Sequence, residues 1–405
     1  MNMEYIKFKD LTTSTQYGYT ASETSPTNGK YKYLRITDIV PYFVNFKTVP
    51  FCEISEKQVP KYIVHEGDIL VARTGATTGY NYVVPKGIDN TVYASYLIRF
   101  VVDRSFVLPL YMKYVLKSQS YYGFVNNYIG GSAQPGMNAK VFGKFNVPYH
   151  PLEQQQKIAS ILSTYDTLIE NNTKRIRLLE KMAENLYKEW FVRFRFPGHE
   201  NVEMENGLPK GWKNYSLRDL CDINKNTISS KRKDELIHYL DTSAITNNNI
   251  AGYEDYILKD APSRAKRVVK HNSIIFSTVR PNLRHLGILK NPVENTIVST
   301  GFAVFDCKYD IANIVYRFLS SSEIVNYCQS IAEGAVATYP SIKPEEIARI
   351  KVTLPSIEKA VYMNRQFEKL ISEQNLLTKQ NSLLTRQRDL LLPRLMSGKL
   401  EVIVR

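Results

Sequence analysis

The chain repeats itself. "KFKDL" at 7–11 returns as "SLRDL" at 216–220, "YLRITDI" at 33–39 as "YLDTSAI" at 239–245, "EGDILVARTG" at 66–75 as "HNSIIFSTVR" at 271–280, and "FNVPYHPLEQ" at 145–154 as "IKVTLPSIEK" at 350–359. The shift stays at roughly 204–209 residues over all four blocks, so the 405 residues hold one folding unit twice, each copy with its own core. Each copy opens with short β-branched and aromatic runs between Gly, Asn and Pro ("KYLRITDIV", "GDILVAR", "NYVVP", "SYLIRFVV"), which reads as strands and turns. A helix follows over "LPLYMKYVLKSQSYYGFV", with "IANIVYRFLSSSEIVNYCQSI" as its counterpart. A turn-rich loop comes next, "GGSAQPGMNAK" in one copy and "EGAVATYPSIKPEE" in the other, and each copy then closes on a long charged helix.

The two closing helices carry heptad seams. Leu162, Tyr165, Ile169, Asn172, Ile176, Leu179, Ala183, Leu186 and Trp190 follow alternating steps of three and four. So do Phe367, Leu370, Gln374, Leu377, Asn381, Leu384, Arg388, Leu391 and Leu395. A helix of about 40 residues spans roughly 60 Å, longer than one domain needs. A parallel pair would set Ile176 against Asn381 and Asn172 against Leu377, each burying an amide beside an aliphatic chain at about 1–3 kcal/mol if unpaired. An antiparallel pair brings the two apolar lines together and faces Asn172 with Gln374, Asn381 or Arg388. The alternative is that each seam packs on a globular domain or a partner chain. The expected class is α+β: two mixed α/β domains in pseudo-repeat, joined by two long helices forming an antiparallel coiled coil. The expected segments are a first domain over 1–150, a spacer helix over 151–195, a linker with the second domain over 196–356, and a C-terminal helix with tail over 357–405.

A net charge of +14 favours a polyanionic partner, because lysines and arginines displace the counterions condensed on a phosphate backbone. An inert solvated surface would show the same charge; 28 tyrosines, which stack on bases and bond phosphates, tilt slightly toward nucleic acid. The four cysteines form no C-x-x-C pair and no metal-ligand spacing, and read as reduced, mostly structural thiols. The polar N-terminus lacks a signal-peptide core, and no apolar run is long enough for a bilayer, so a cytoplasmic protein is expected.

Two variable domains, each followed by a long helix, resemble the specificity subunit of type I restriction-modification systems. The residues that carry the resemblance are "GDILVARTGATTG" (67–79), "GGSAQPGMNAKVFGKFNVPYHPLEQQQKIASIL" (130–162), "GLPKGWKNYSLRDL" (207–220) and "LLLPRLMSGKLEV" (390–402). The second copy departs from it, with "STVRPNLRHLG" for the glycine-rich loop and "PSIEKAVYMN" for the glutamine-rich helix entry. The resemblance implies target-recognition domains that read double-stranded DNA, a complex with two methyltransferase (M) subunits, and motor-nuclease (R) subunits for cleavage. It places S-adenosylmethionine, ATP and Mg in those partners, with no cofactor in this chain.

Catalytic patterns are missing from the sequence: no methyltransferase "NPPY"-like motif, no G-x-x-x-x-G-K-[ST], no H-E-x-x-H, no G-x-S-x-G. "TGATTG" (74–79) has no following Lys and leads into "YNYVV", so a hairpin is the better reading than a phosphate loop. The chain is expected to bind rather than catalyse.

Base edges need donors and acceptors, and phosphates need cations. The first domain offers Lys30, Lys32 and Tyr33; Arg73, Thr74, Thr77, Thr78, Tyr80 and Asn81; and Ser132, Gln134, Asn138 and Lys140. Arg73 has the fork for a guanine, Asn81 or Gln134 the amide for an adenine. The second domain offers Lys231, Arg232 and Lys233; Arg264, Lys266 and Arg267; Arg280, Asn282, Arg284 and His285; and Thr338, Tyr339, Ser341 and Lys343. Singly, each reads as well as a solvated charge or turn former; the clusters favour contact. One half-site per domain gives a bipartite, asymmetric target, with half-site centres about 34 Å apart suiting the frame. A stand-alone DNA-binding regulator and a coiled-coil adaptor are the competing readings.

Overall fold

In a computed structural model, residues 3–22, 24–41, 43–129, 136–335 and 340–400 are described. The chain divides into two compact units, Met1–Lys174 with Thr378–Arg405, and Arg175–Leu377.

The first unit is built on an antiparallel sheet in the order Thr12–Tyr17, Leu97–Val102, Ile69–Ala72, Asn81–Val83. Ile69–Ala72, an unbroken apolar run, is central and buried on both faces. A second, mixed sheet follows the order Thr24–Ser25, Phe51–Cys52, Tyr31–Leu34, Thr91–Tyr93, with the last two strands parallel. The second unit repeats both. Its antiparallel sheet runs Cys221–Ile223, Phe302–Cys307, Ser273–Ser277, Leu286–Leu289, and its mixed sheet Glu254–Ile257, Leu236–Leu240, Thr296–Ser299, Ala265–Val268. The repeated blocks thus fall on matching elements: 7–11 and 216–220 on short helical turns, and 33–39 with 239–245 and 66–75 with 271–280 on matching strands.

Two expectations need correction. "ITDI" does not extend the strand before it; Ile36–Ile39 is one helical turn, because the Asp38 carboxylate accepts the Arg35 N–H and guanidinium. The long mid-domain helix is two helices in each unit, Pro109–Val115 with Gln119–Ile129, and Ala312–Ser320 with Ser322–Ala335. Serine makes each break. The Ser118 hydroxyl donates to the Val115 carbonyl and accepts the Tyr121 N–H, and the Ser321 hydroxyl accepts the Ile324 N–H.

Each domain is fastened to its long helix by a buried amide. Gln155, near the start of helix Leu152–Tyr187, accepts the Leu108 N–H (2.9 Å) and donates to the carbonyls of Phe106 (2.9 Å) and His150 (2.7 Å). Asn364, in the first turns of helix Ile357–Met396, accepts the N–H groups of Asn313 (3.1 Å) and Ile314 (3.3 Å). Each thereby satisfies orphan donors at the start of the domain's own helix.

Within both units the long helices run antiparallel, and every seam residue is buried or half-buried. In the first unit Leu162 packs in one cluster with Leu392, Leu395 and Met396, and Asp166 accepts Arg388 at 2.9 Å. In the second, Arg175 pairs with Glu373 at 2.9 Å and Trp190 meets Phe367 edge-on at 6.0 Å. Asn172, however, donates to Gln380 (3.4 Å) rather than to a residue of the facing seam. The seam amides bond instead to backbone and flanking groups, Asn381 to the Ile169 carbonyl and Thr173, Gln374 to Glu180 and the Ile176 carbonyl. A carbonyl on the facing helix satisfies an amide without needing a matched side chain. Among the described residues no helix is long and apolar enough to cross a membrane.

Candidate nucleic-acid interface

In the first unit the loop after Ile69–Ala72 turns back into Asn81–Val83 as a hairpin, as the glycines suggested. Its first residues are stitched to the chain just before helix Ala139–Phe142. Thr74 bridges Gly136, the Met137 N–H donates to the Arg73 carbonyl (2.9 Å), and the Arg73 N–H donates to the Tyr96 carbonyl (3.0 Å). The second unit repeats this with different side chains. Val279 bridges Ser341, the Ile342 N–H reaches Thr278 (2.9 Å), and the Thr278 N–H reaches Gly301 (2.9 Å). The two loops singled out in each copy are thus one paired surface, held by main-chain hydrogen bonds.

Gly75 and Gly79 have φ of +77° and +89°, and a Cβ on Gly79 would meet Val125 at 2.9 Å. The second unit places Arg280 (φ +47°) and Arg284 (φ +56°) at the matching positions. A left-handed conformation costs a non-glycine residue about 1–2 kcal/mol. Arg284 offsets this by donating to the Ser320 carbonyl (2.8 Å) and the Ser322 hydroxyl (2.9 Å), at the break between the two helices. Arg280 is exposed at the turn, its N–H donating to the Pro340 carbonyl (2.9 Å).

The remaining candidates divide by burial. In the first unit Arg73, Thr74, Thr77, Tyr80, Asn138 and Lys140 are exposed or half-exposed on or beside the loop pair. The Asn138 side chain also caps helix Ala139–Phe142, accepting the Val141 N–H at 3.0 Å. Asn81 is a correction. It is buried, and its amide donates to the carbonyls of Leu116 (2.6 Å) and Gly79 (3.2 Å), which takes it out of reach of a base. Thr78 is also buried, its hydroxyl closing the loop on the Gly75 carbonyl (2.7 Å). Tyr33 is buried and donates to the Tyr19 carbonyl (2.8 Å); Lys32 donates to the Phe46 carbonyl and lies over the Phe51 ring. Both serve the packing of the mixed sheet. Lys30 is exposed and paired with Glu56 at 2.6 Å.

In the second unit Lys231, Lys233, Arg264, Lys266, Asn282 and Lys343 are exposed, and Ser341 is half-buried. Arg232 is forked onto Glu235 and donates to Asn295 (2.8 Å), Arg267 reaches the Asn224 carbonyl (3.4 Å), and His285 Nδ1 lies 2.7 Å from the Ile245 carbonyl. These three hold their own domain. Ser132, Gln134, Thr338 and Tyr339 lie outside the described residues.

Two residues were missed. Tyr17 ends the first strand of the sheet; its ring carries the Arg73 guanidinium at 5.0 Å and its hydroxyl accepts the Ala139 N–H (3.3 Å). Tyr96 is 61% exposed beside them. Aromatic residues at strand ends next to a basic loop were the available signal. A cleft of about 760 Å³ in the same unit is lined by Thr78, Tyr80, Asn81, Tyr114, Lys117 and Arg388 among others. Burial there, with Lys113 nearby, pushes the Lys117 ammonium down to about 7, against the pull of Asp166.

A mixed domain built twice, each copy carrying a basic loop pair and ending in a long helix, defines a two-headed nucleic-acid-binding protein. The comparisons give the family. The model of the type I restriction modification DNA specificity domain matches residues 1–181 and 209–386. The type I restriction enzyme MjaIX specificity subunit of Methanocaldococcus jannaschii is 28% identical over 370 residues, covering 86% of this chain and 82% of that one. The MjaVIII specificity subunit of the same organism is 24% identical over 377 residues, covering 87% and 83%. The crystal structure of a type I restriction-modification S subunit from M. genitalium shares the fold, with a TM-score of 0.62 at 16% identity over 100% of this chain and 97% of that one. The chain belongs to the type I restriction modification DNA specificity family and is a DNA target-recognition subunit.

Proposed function

We propose that this chain reads a bipartite, asymmetric duplex target, one half-site per unit, and directs two methyltransferase subunits and the motor-nuclease subunits to it, itself taking no part in catalysis. The observation that carries this reading is the loop pair made twice on one backbone plan but with different side chains. Arg73, Thr74 and Thr77 stand in the first unit where Thr278, Val279 and Asn282 stand in the second. Equal frames with unequal donors select different bases.

Two methyltransferase subunits are supported by two apolar faces. Ile161, Leu168, Leu383 and Leu390 are exposed in the first unit, and Leu178, Met182, Tyr362 and Leu376 in the second. All lie outside the seams, on the flank that an added helix would cover. S-adenosylmethionine, ATP and Mg belong to the partner subunits in this reading, and the complex works in the cytoplasm. Mapping methylated adenines in cells that express the chain with its methyltransferase tests it. The expected motif has two unlike specified parts around unspecified bases; a continuous motif, or a palindrome, would overturn the proposal.

A further inference from the structure

The second unit holds a cysteine pair that the DNA-reading role does not use. Cys221 opens the edge strand Cys221–Ile223 and lies directly opposite Cys307, the last residue of the neighbouring antiparallel strand Phe302–Cys307. The ladder fixes what kind of pair this is. The Lys308 N–H donates to the Leu220 carbonyl (2.8 Å) and the Asn224 N–H to the Val304 carbonyl (2.9 Å). Residues 220 with 308 and 224 with 304 are therefore hydrogen-bonded pairs, and alternation makes 221 with 307 a non-hydrogen-bonded one. Such pairs bring their Cα atoms to about 4.5 Å and their side chains closest together, within the span a disulfide bridges. The two sulfur atoms lie 3.4 Å apart. Cys221 is fully buried and Cys307 only partly so, which makes Cys307 the more accessible of the two. Cys52 and Cys328, the other two thiols, are both buried; Cys52 stands opposite Thr24 and Tyr31 across its strands, and Cys328 lies within helix Ser322–Ala335.

We propose that Cys221 and Cys307 form a redox-modification site, a dithiol that a peroxide converts to a cross-strand disulfide. The Cys307 sulfur attacks one peroxide oxygen, giving a sulfenic acid and releasing the other oxygen as water. The Cys221 sulfur then attacks the sulfenic sulfur, the S–S bond forms and a second water leaves. Overall two thiols lose two hydrogens and two electrons, and one hydrogen peroxide becomes two waters. The hydrogen bond shared with Cys221, which favours the protonated Cys307 thiol when Cys307 donates, and then burial hold that thiol well above its usual range, so the thiolate that attacks peroxide becomes more abundant and the reaction quickens as pH rises. The bond would pin the edge strand to the strand whose other end follows Gly301, the residue that holds the Thr278 loop by two 2.9 Å hydrogen bonds.

The test uses the full-length chain, treated with hydrogen peroxide near pH 8 and analysed by intact mass, thiol titration and peptide mapping. The expected result is loss of two titratable thiols, a mass lower by two hydrogens and a linked Cys221–Cys307 peptide, all reversed by dithiothreitol. Closing a loop of 86 residues should raise the unfolding midpoint of this unit by ~5–10 °C. Cys307→Ser should abolish the mass loss and the midpoint shift while leaving the untreated midpoint near that of the parent. Stepwise oxygen addition at Cys307 without a cross-link, or first reaction at Cys52 or Cys328, would overturn the proposal.

Discussion

Replacing Arg280 with glycine separates the demands of the fold from those of DNA reading. Arg280 sits at φ +47°, where the first unit has Gly75 at +77°. Removing the side chain relieves about 1–2 kcal/mol of left-handed strain. Glycine gives back roughly 0.5–1 kcal/mol through the freedom it adds to the unfolded chain. The net is about 0–1.5 kcal/mol in favour of the variant, a rise of up to ~6 °C in the unfolding midpoint of a unit this size. DNA discrimination should move the other way. A forked contact from Arg280 to a guanine, the role proposed for it, would contribute about 1–3 kcal/mol, so its loss should show only at the half-site assigned to the second unit. Arg280→Ala is the control: it keeps the strained backbone and removes the guanidinium, so it should lose the same discrimination without gaining stability. Thermal unfolding gives the first quantity. Competition binding by the assembled methyltransferase complex, on duplexes altered in one half-site at a time, gives the second. A less stable Arg280→Gly with unchanged half-site preference would refute the reasoning. Equal weakening on every duplex, with a shallower salt slope, would mean that Arg280 holds a phosphate.

The buried charges below the first domain give further predictions. Asp166 accepts Lys113 at 2.5 Å, Tyr114 at 2.8 Å and Arg388 at 2.9 Å, while Arg388 also holds Asp389 at 2.8 Å, so Asp166→Ala removes the acceptor shared by three side chains and should destabilise the first unit by about 1–3 kcal/mol in thermal or urea unfolding. Lys117, held at about 7 in the fold against 10.5 unfolded, binds fewer protons folded than unfolded between those values. Stability of this unit should therefore rise with pH, by about 1–2 kcal/mol from pH 7 to 9, and Lys117→Met should flatten that rise in unfolding measured across the range. Glu180 behaves oppositely in the second unit: burial pushes its carboxyl up, but Arg317 outweighs this and the net value falls below 4.5. Its contribution is present above the unfolded value and disappears as pH falls through the folded one, so Glu180→Gln should reduce the acid sensitivity of unfolding below about pH 4.5. Finally, inserting one heptad into either long helix should change the preferred number of unread bases or prevent assembly; normal methylation of the original motif would count against the ruler role.

Periodicity was the legible part of the sequence. The duplicated blocks located both sheets, and the heptad steps located the seams, because both signals depend only on which residues are apolar and how far apart they stand. The helix breaks after Val115 and Ser320 were hidden because neither carries Gly or Pro; serine hydroxyls made them. Asn81 and Tyr33 were misjudged for a related reason. A polar group beside a loop reads as a ligand for something outside, whereas these two satisfy carbonyls inside. Asp166 and Arg388 illustrate the converse: charges on a helix read as solvated until the domain that covers them is known. Tyr17 escaped notice because its partner, Arg73, is distant in sequence and adjacent only across the sheet edge.

The main-chain stitching of the loop pairs has an evolutionary corollary. Every residue except proline offers the same N–H, and all offer the same carbonyl, so the knot at 73 with 137 and at 278 with 342 is indifferent to what its side chains are. Letters above the knot can be exchanged one by one while the page they are written on stays flat. A lineage under pressure to change its address on DNA can thus move through single substitutions, each tested on an unaltered scaffold.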